Sequence, residues 1–213
     1  QNIHNFCVNE LGGIYLDIVK DRLYTSKTDS LARRSCQTSL EELLNILIRL
    51  IAPILSYTAE EIWQSCSDLI NQEESVFLSN YLSNNNNSNS KIDSDEWKRL
   101  FEIKDSVNQS IEKLRNDNKL KGSLDAIVNI GANDEDFKIL EKLGNELHFL
   151  FICSEANIKK ESSLNIVITN SEHDKCTRCW HRDITVGKNS IHKEICHRCI
   201  TNIDKEGEQR SFV

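Results

Sequence analysis

Near its C-terminal end the chain reads CTRCWHRDITVGKNSIHKEICHRC, from Cys176 to Cys199, with two CxxC pairs sixteen residues apart. A CxxC turn presents two sulfurs to one point, and backbone amides after its first cysteine hydrogen-bond the thiolates. Two such turns close a tetrahedral four-thiolate site of the kind zinc takes. The spacing lies within the range of a zinc ribbon or knuckle. It predicts one structural Zn2+ held by Cys176, Cys179, Cys196 and Cys199. With so little apolar content of its own, this segment is expected to be disordered without the metal. Less well supported readings are a redox pair, which gives no reason for a second CxxC, and paired disulfides, which need an oxidising compartment. A catalytic zinc would keep an open position and usually take His or carboxylate ligands. His181, His192 and His197 lie close enough in sequence to replace a cysteine, although four thiolates make that unnecessary. Cys7, Cys36, Cys66 and Cys153 have no ligand spacing and read as small buried hydrophobes.

The remaining sequence must supply the body on which this tip sits. At 213 residues and 38% hydrophobic composition the chain has enough material for a packed core. The richest apolar stretch, LLNILIRLIAPIL, is broken by Asn45, Arg49 and Pro53, so no membrane span is expected. The N-terminus QNIHNFCVNE lacks a basic region followed by an apolar one, which argues against a secretory leader. The chain starts at Gln1 and contains no methionine, so it is expected to be a processed product or part of a longer polypeptide. A net charge of −7 argues against nucleic-acid binding by bulk electrostatics. The charge is uneven, however: Cys176 to Cys199 holds five basic residues against two acidic ones.

Periodicity divides the chain in three. From about Leu11 to Trp63 apolar residues recur at helical spacing, among them Leu40, Leu43, Leu44, Leu47, Leu50 and Ile51. Pro53 predicts a helix end or kink near Ala52, and Thr58 with Glu61 predicts a capping box. Residues 79–95 are an Asn-rich polar loop, and a helix resumes at about Glu96, with Trp97, Leu100, Val107, Ile111 and Leu114 on one face. The period then changes. SLDAIVNI alternates as a half-buried strand, DFKILEKLGNELHFLFI predicts a short helix running into a second strand, and SLNIVIT a third. The expected fold is mainly α: a helical bundle over 1–120, a small α+β unit over 121–172, and a four-cysteine zinc ribbon with its tail over 173–213. The chain has no GxxxxGK[ST], GxGxxG, HExxH or GxSxG motif, and its seven glycines leave little material for a phosphate-cradling loop. No catalytic residue is predicted.

NFCVNELGGIYLDIVKDRLY, RRSCQTSLEELLNILIRLIAPILSYTAEEIW, KLKGSLDAIV and the terminal CxxCW…CxxC, taken together, resemble the C-terminal portion of the bacterial isoleucyl-tRNA synthetase family, within the class I aminoacyl-tRNA synthetases. The likeness covers nearly the whole chain. The first stretches are similar to the anticodon-binding domain shared with the valyl, leucyl and methionyl enzymes, and the ribbon points to the isoleucyl member. The resemblance implies that the intact, monomeric, cytoplasmic protein activates isoleucine with ATP and charges tRNA(Ile). It places catalysis and editing in N-terminal domains, where ATP binds and whose HIGH and KMSKS motifs are absent here. This segment would grip the anticodon stem-loop, through Trp180 stacking on an unpaired base and through basic residues Lys20, Arg22, Arg33, Arg34, Arg178 and Arg182. A stand-alone zinc-ribbon module binding nucleic acid or protein is the alternative. The family commonly has proline after the first cysteine of each pair, where this chain has Thr177 and His197.

Overall fold

The structure, a computed structural model, describes residues 1–66, 73–82 and 90–213. It falls into two compact units, one formed by residues 1–32 and 90–213 and the other by residues 33–89.

The smaller unit is helical. Helix α3 (Leu31–Ile51) ends one residue before Ala52, as Pro53 requires, and α4 (Ser56–Ser65) follows. Their apolar faces enclose Ile48, Ala52, Ala59, Trp63, Cys66 and Val76. Trp63 is fully buried, donates from Nε1 to the Glu73 carbonyl at 2.9 Å, and carries the Arg49 guanidinium 4.7 Å from its ring centroid. The expected capping box at Thr58 does not form. The chain is already helical from Ser56, and the Ala59 amide bonds to the Leu55 carbonyl at 2.8 Å, so Thr58 sits inside the first turn.

In the larger unit an N-terminal helical run comprises α1 (Asn2–Asn5), a π-helical stretch (Phe6–Tyr15) and α2 (Leu16–Thr25). The π stretch contains the Gly12–Gly13 pair. A Cβ on Gly12 would lie 3.0 Å from the Cys7 carbonyl oxygen, so the wider turn suits a residue without one. Helix α5 (Ser94–Asn116) begins two residues before Glu96 because Asp93 caps it. The Asp93 carboxylate accepts from the Glu96 amide at 2.9 Å, and Glu96 Oε2 accepts from the Asp93 amide at 3.1 Å. Asp93→Ala is expected to cost about 1 kcal/mol in urea unfolding, and a change under about 0.3 kcal/mol would show the cap to be idle. The Asn-rich loop falls partly at residues 83–89, outside the described residues.

Strand β1 (Ala126–Ala132) is central in a three-stranded sheet of order β2-β1-β3, parallel to β2 (Glu155–Lys160) and antiparallel to β3 (Asn165–Asn170). The first and third expected strands are therefore present. The second lies further along than HFLFI, because that stretch forms α7 (Leu147–Leu150) and the turn after it. Its Leu147, Phe149, Leu150 and Phe151 are all buried, which is why an apolar run resembled a strand there. Before it, α6 (Asp134–Leu143) ends at Gly144, whose φ of +50° favours glycine. The core joins Ala126, Val128, Ile130 and Ala132 of β1 to Leu100, Ile103, Val107 and Ile111 of α5, with Leu140, Leu150 and Ile18 packed on them. Cys36, Cys66 and Cys153 are buried as expected, whereas Cys7 is half-buried. Burial pushes the Cys153 thiol up to about 12, so it stays protonated.

Candidate metal centre

The first CxxC turn is built locally. The Trp180 amide bonds back to the Cys176 carbonyl at 2.9 Å, and the Cys176 amide to the His181 carbonyl at 2.9 Å; Trp180 takes a left-handed φ of +68°. The second pair opens helix α8 (His197–Asp204), with Cys196 at its N-cap and Cys199 in its first turn. Two cross-links set the turns together: the Thr177 amide donates to the Glu194 carbonyl at 3.0 Å, and the Cys196 amide to Cys176 Sγ at 3.3 Å.

All four sulfurs are buried and lie within 4.8 Å of one another. Cys176–Cys199 and Cys179–Cys196 are each separated by 3.7 Å. A tetrahedron with Zn–S bonds of about 2.3 Å has sulfur–sulfur edges of about 3.8 Å, so the donor set fits a zinc ion. The same separations are far beyond the roughly 2.05 Å of a disulfide. Among the described residues this is the one His/Cys/Asp/Glu group placed to hold a metal. None of the three nearby histidines joins it: His181 turns Nδ1 to the Cys179 carbonyl at 3.3 Å, His192 pairs with Asp204 at 2.9 Å, and His197 is exposed.

The positive residues around the site have divergent placements. Arg182 pairs with Asp125 and donates from Nη1 to the His173 carbonyl at 3.0 Å. Arg22 is buried, 4.0 Å from Glu146. Arg198, which carries part of the basic excess of the ribbon, enters a four-charge cluster: it bonds Asp21 at 2.9 Å and Glu208 at 3.3 Å, while Arg210 bonds the same two carboxylates. Arg178 donates from Nη1 to the Thr25 carbonyl at 2.7 Å. Lys20 pairs with Asp17 on the exposed surface of α2, and Trp180 is 60% exposed with the Lys175 ammonium 5.8 Å from its ring centroid. Arg33 and Arg34 belong to the smaller unit, where Arg34 is exposed and donates to Gln37 at 2.9 Å.

A cavity of about 410 Å³ opens beside the ribbon, lined by Asp17, Lys20, Tyr24, Arg178, Trp180 and His181 among others. Thus Lys20, Arg178 and Trp180 come together, joined by Tyr24, which is 79% exposed and was not predicted. Its aromatic ring beside basic α2 residues was the available signal. Glu146 was also missed: its carboxylate accepts the amides of Ser211, Phe212 and Val213 at 2.6–2.9 Å and fixes the chain end.

A helical domain preceding a four-sulfur centre is what the comparison with known proteins finds as well. Residues 1–130 match the family described as the anticodon-binding domain of tRNA ligase, and the chain belongs to that family. Residues 174–202, which contain the four cysteines, match the zinc finger found in FPG and IleRS. Over its whole length the chain is similar to isoleucine--tRNA ligases: 41% identical to that of Glaesserella parasuis serovar 5 (strain SH0165), 42% to that of Histophilus somni (strain 2336) and 44% to that of Francisella tularensis subsp. novicida (strain U112). It spans 24% of the length of these relatives.

Proposed function

We propose that this chain is the tRNA-gripping portion of a class I isoleucine–tRNA ligase, a cytoplasmic monomer that activates isoleucine with ATP in another part of the polypeptide and charges tRNA(Ile). The observation that carries the reading is the pairing of an anticodon-binding helical domain with four sulfurs at tetrahedral spacing. No catalytic step is assigned to the segment. Its work is positional, with the helical part over 1–120 and the ribbon over 173–213 meeting the anticodon stem-loop and the unit over 121–172 joining them. No described helix is long and apolar enough to cross a membrane, in keeping with this reading.

Cys176, Cys179, Cys196 and Cys199 would hold one structural zinc, which when bound supplies a rigid cross-link between the two turns. The ribbon then carries Trp180 at the mouth of the cavity, where an indole and the exposed ring of Tyr24 offer faces on which an unpaired base can stack. Lys20 and Arg178 flank that opening as phosphate partners, and Arg33 and Arg34 offer further positive charge on the smaller unit. Arg22 and Arg182 are engaged by internal carboxylates, so they support the surface from beneath. Filter binding with tRNA(Ile) transcripts tests the reading: a preference over a transcript with an altered anticodon is expected, and equal binding would overturn it. Trp180→Ala should weaken that binding by about 1–3 kcal/mol with unchanged zinc content, and an unaltered affinity would remove the indole from the contact.

A further inference from the structure

We infer that Arg178 is a positioning residue that couples occupancy of the four-sulfur site to the C-terminal end of α2. The inference rests on the zinc reading above and concerns what the chain's own groups do when a metal is held.

The last carbonyls of a helix have no partner within it, and α2 ends at Thr25, a buried residue followed by extended Ser26. The Thr25 carbonyl is satisfied from 153 residues away, by Arg178 Nη1 at 2.7 Å. The same nitrogen lies 3.6 Å from Cys199 Sγ. An Nη nitrogen of a guanidinium carries two hydrogens, so it can serve both acceptors at once. Arg178 therefore bridges a metal-ligating sulfur to the end of a helix. From α8, Arg198 adds a second tie, placing Nη1 3.2 Å from Thr25 Oγ1 while pairing with Asp21 of the same helix.

Arg178 lies in the first CxxC turn and Cys199 in the second, so the bridge to Thr25 lasts only while the two turns are held together. A metal held by the four sulfurs joins those turns, fixes Cys199 Sγ beside the guanidinium, and with it the cap on Thr25. By linkage, an ordered α2 terminus raises metal affinity by the same factor. Because Tyr24 sits in this last turn of α2 and Lys20 one turn before it, the metal organises the RNA-facing end of the helix as well as the ribbon.

Hydrogen exchange on the full chain, with and without a chelator, tests this alongside elemental analysis. In the unaltered chain, removing zinc should speed exchange of the amides from Leu23 to Ser26 by more than roughly tenfold, the scale of the Arg178 bond alone, because Arg198 is released with it. Arg178→Met should show roughly tenfold faster exchange with zinc still bound, a further rise on chelation as Arg198 leaves Asp21 and Thr25, and zinc binding about tenfold weaker in competition with a chromophoric chelator. If the unaltered chain releases its zinc and α2 exchanges as before, or if zinc-loaded Arg178→Met matches it, the coupling is overturned while the zinc reading stands. If the purified chain contains no zinc, the zinc reading fails and the coupling fails with it.

Discussion

Replacing Cys196 with serine is expected to abolish metal binding and unfold the ribbon. The hydroxyl stays protonated where a thiolate is required, and it sits at the point where the second turn enters α8. Apolar burial of its own does little to hold the segment. Its buried cluster consists of the four cysteines themselves, with only partly buried Val186 and Ile195 against them. Binding energies for structural zinc in such sites run to about 10–16 kcal/mol, comparable with the whole stability of an ordinary domain at about 5–15 kcal/mol. Elemental analysis should fall from one zinc per chain to none, and amides of residues 174–202 should lose exchange protection while those of β1 and α5 retain it. Full metal content in the variant would refute the four-cysteine assignment.

The second large effect is expected at Asp21→Asn. Asp21 and Glu208 balance Arg198 and Arg210 in a cluster where the Arg210 side chain is 1% exposed and lies 3.4 Å from the Phe149 ring centroid. Removing one carboxylate leaves two guanidinium groups sharing the other, an uncompensated buried charge that costs about 3–5 kcal/mol. Urea unfolding of the zinc-loaded chain should register that loss, and a change under about 1 kcal/mol would show that water or Glu208 alone serves both arginines.

The same residue governs part of the pH dependence. Burial would raise the Asp21 carboxyl, but Arg198 and Arg210 outweigh it and hold the group well below the usual carboxylate range. A depressed carboxyl contributes stability that is complete above about pH 4 and is lost as pH falls through its folded value. His148 acts in a higher window. Burial, reinforced by His181 and Arg198, pushes its imidazole down to about 3, so the folded chain refuses a proton that the unfolded chain accepts near pH 6.5. Stability should therefore decline from about pH 6.5 towards 3 on account of His148, with a steeper loss below about pH 4 from Asp21. Asp21→Asn should flatten only the lower part of this curve; a profile parallel to that of the unaltered chain would contradict the assignment.

Much of the candidate metal centre was legible in the sequence because each half of it is local. CxxC spacing dictates a turn, the turn dictates where two sulfurs point, and sulfur selects the metal. Helix α5 was legible by the same token, since Leu100, Val107 and Ile111 recur at the helical period and all are buried. Local signals also misled. Thr58 with Glu61 has the capping pattern, yet the box forms at Asp93 and Glu96, because Pro53 and the Leu55 carbonyl had already started α4 at Ser56.

Composition counted charges without showing where they go. The basic excess between Cys176 and Cys199 reads as one positive surface, but Arg198 and Arg182 turn inward to Asp21 and Asp125, 177 and 57 residues away. Arg210 and Glu146 gave no signal at all, since neither belongs to a motif. What the sequence determined by itself is the chemistry of short separations: helix periods, the β alternation and the four-sulfur donor set. The tertiary structure alone decided which arginines are interior, which aromatic rings face the cavity and which carbonyl Arg178 caps. These depend on groups that meet only when distant segments pack, and a charge buried beside its counter-ion has the same sequence letter as one left in water.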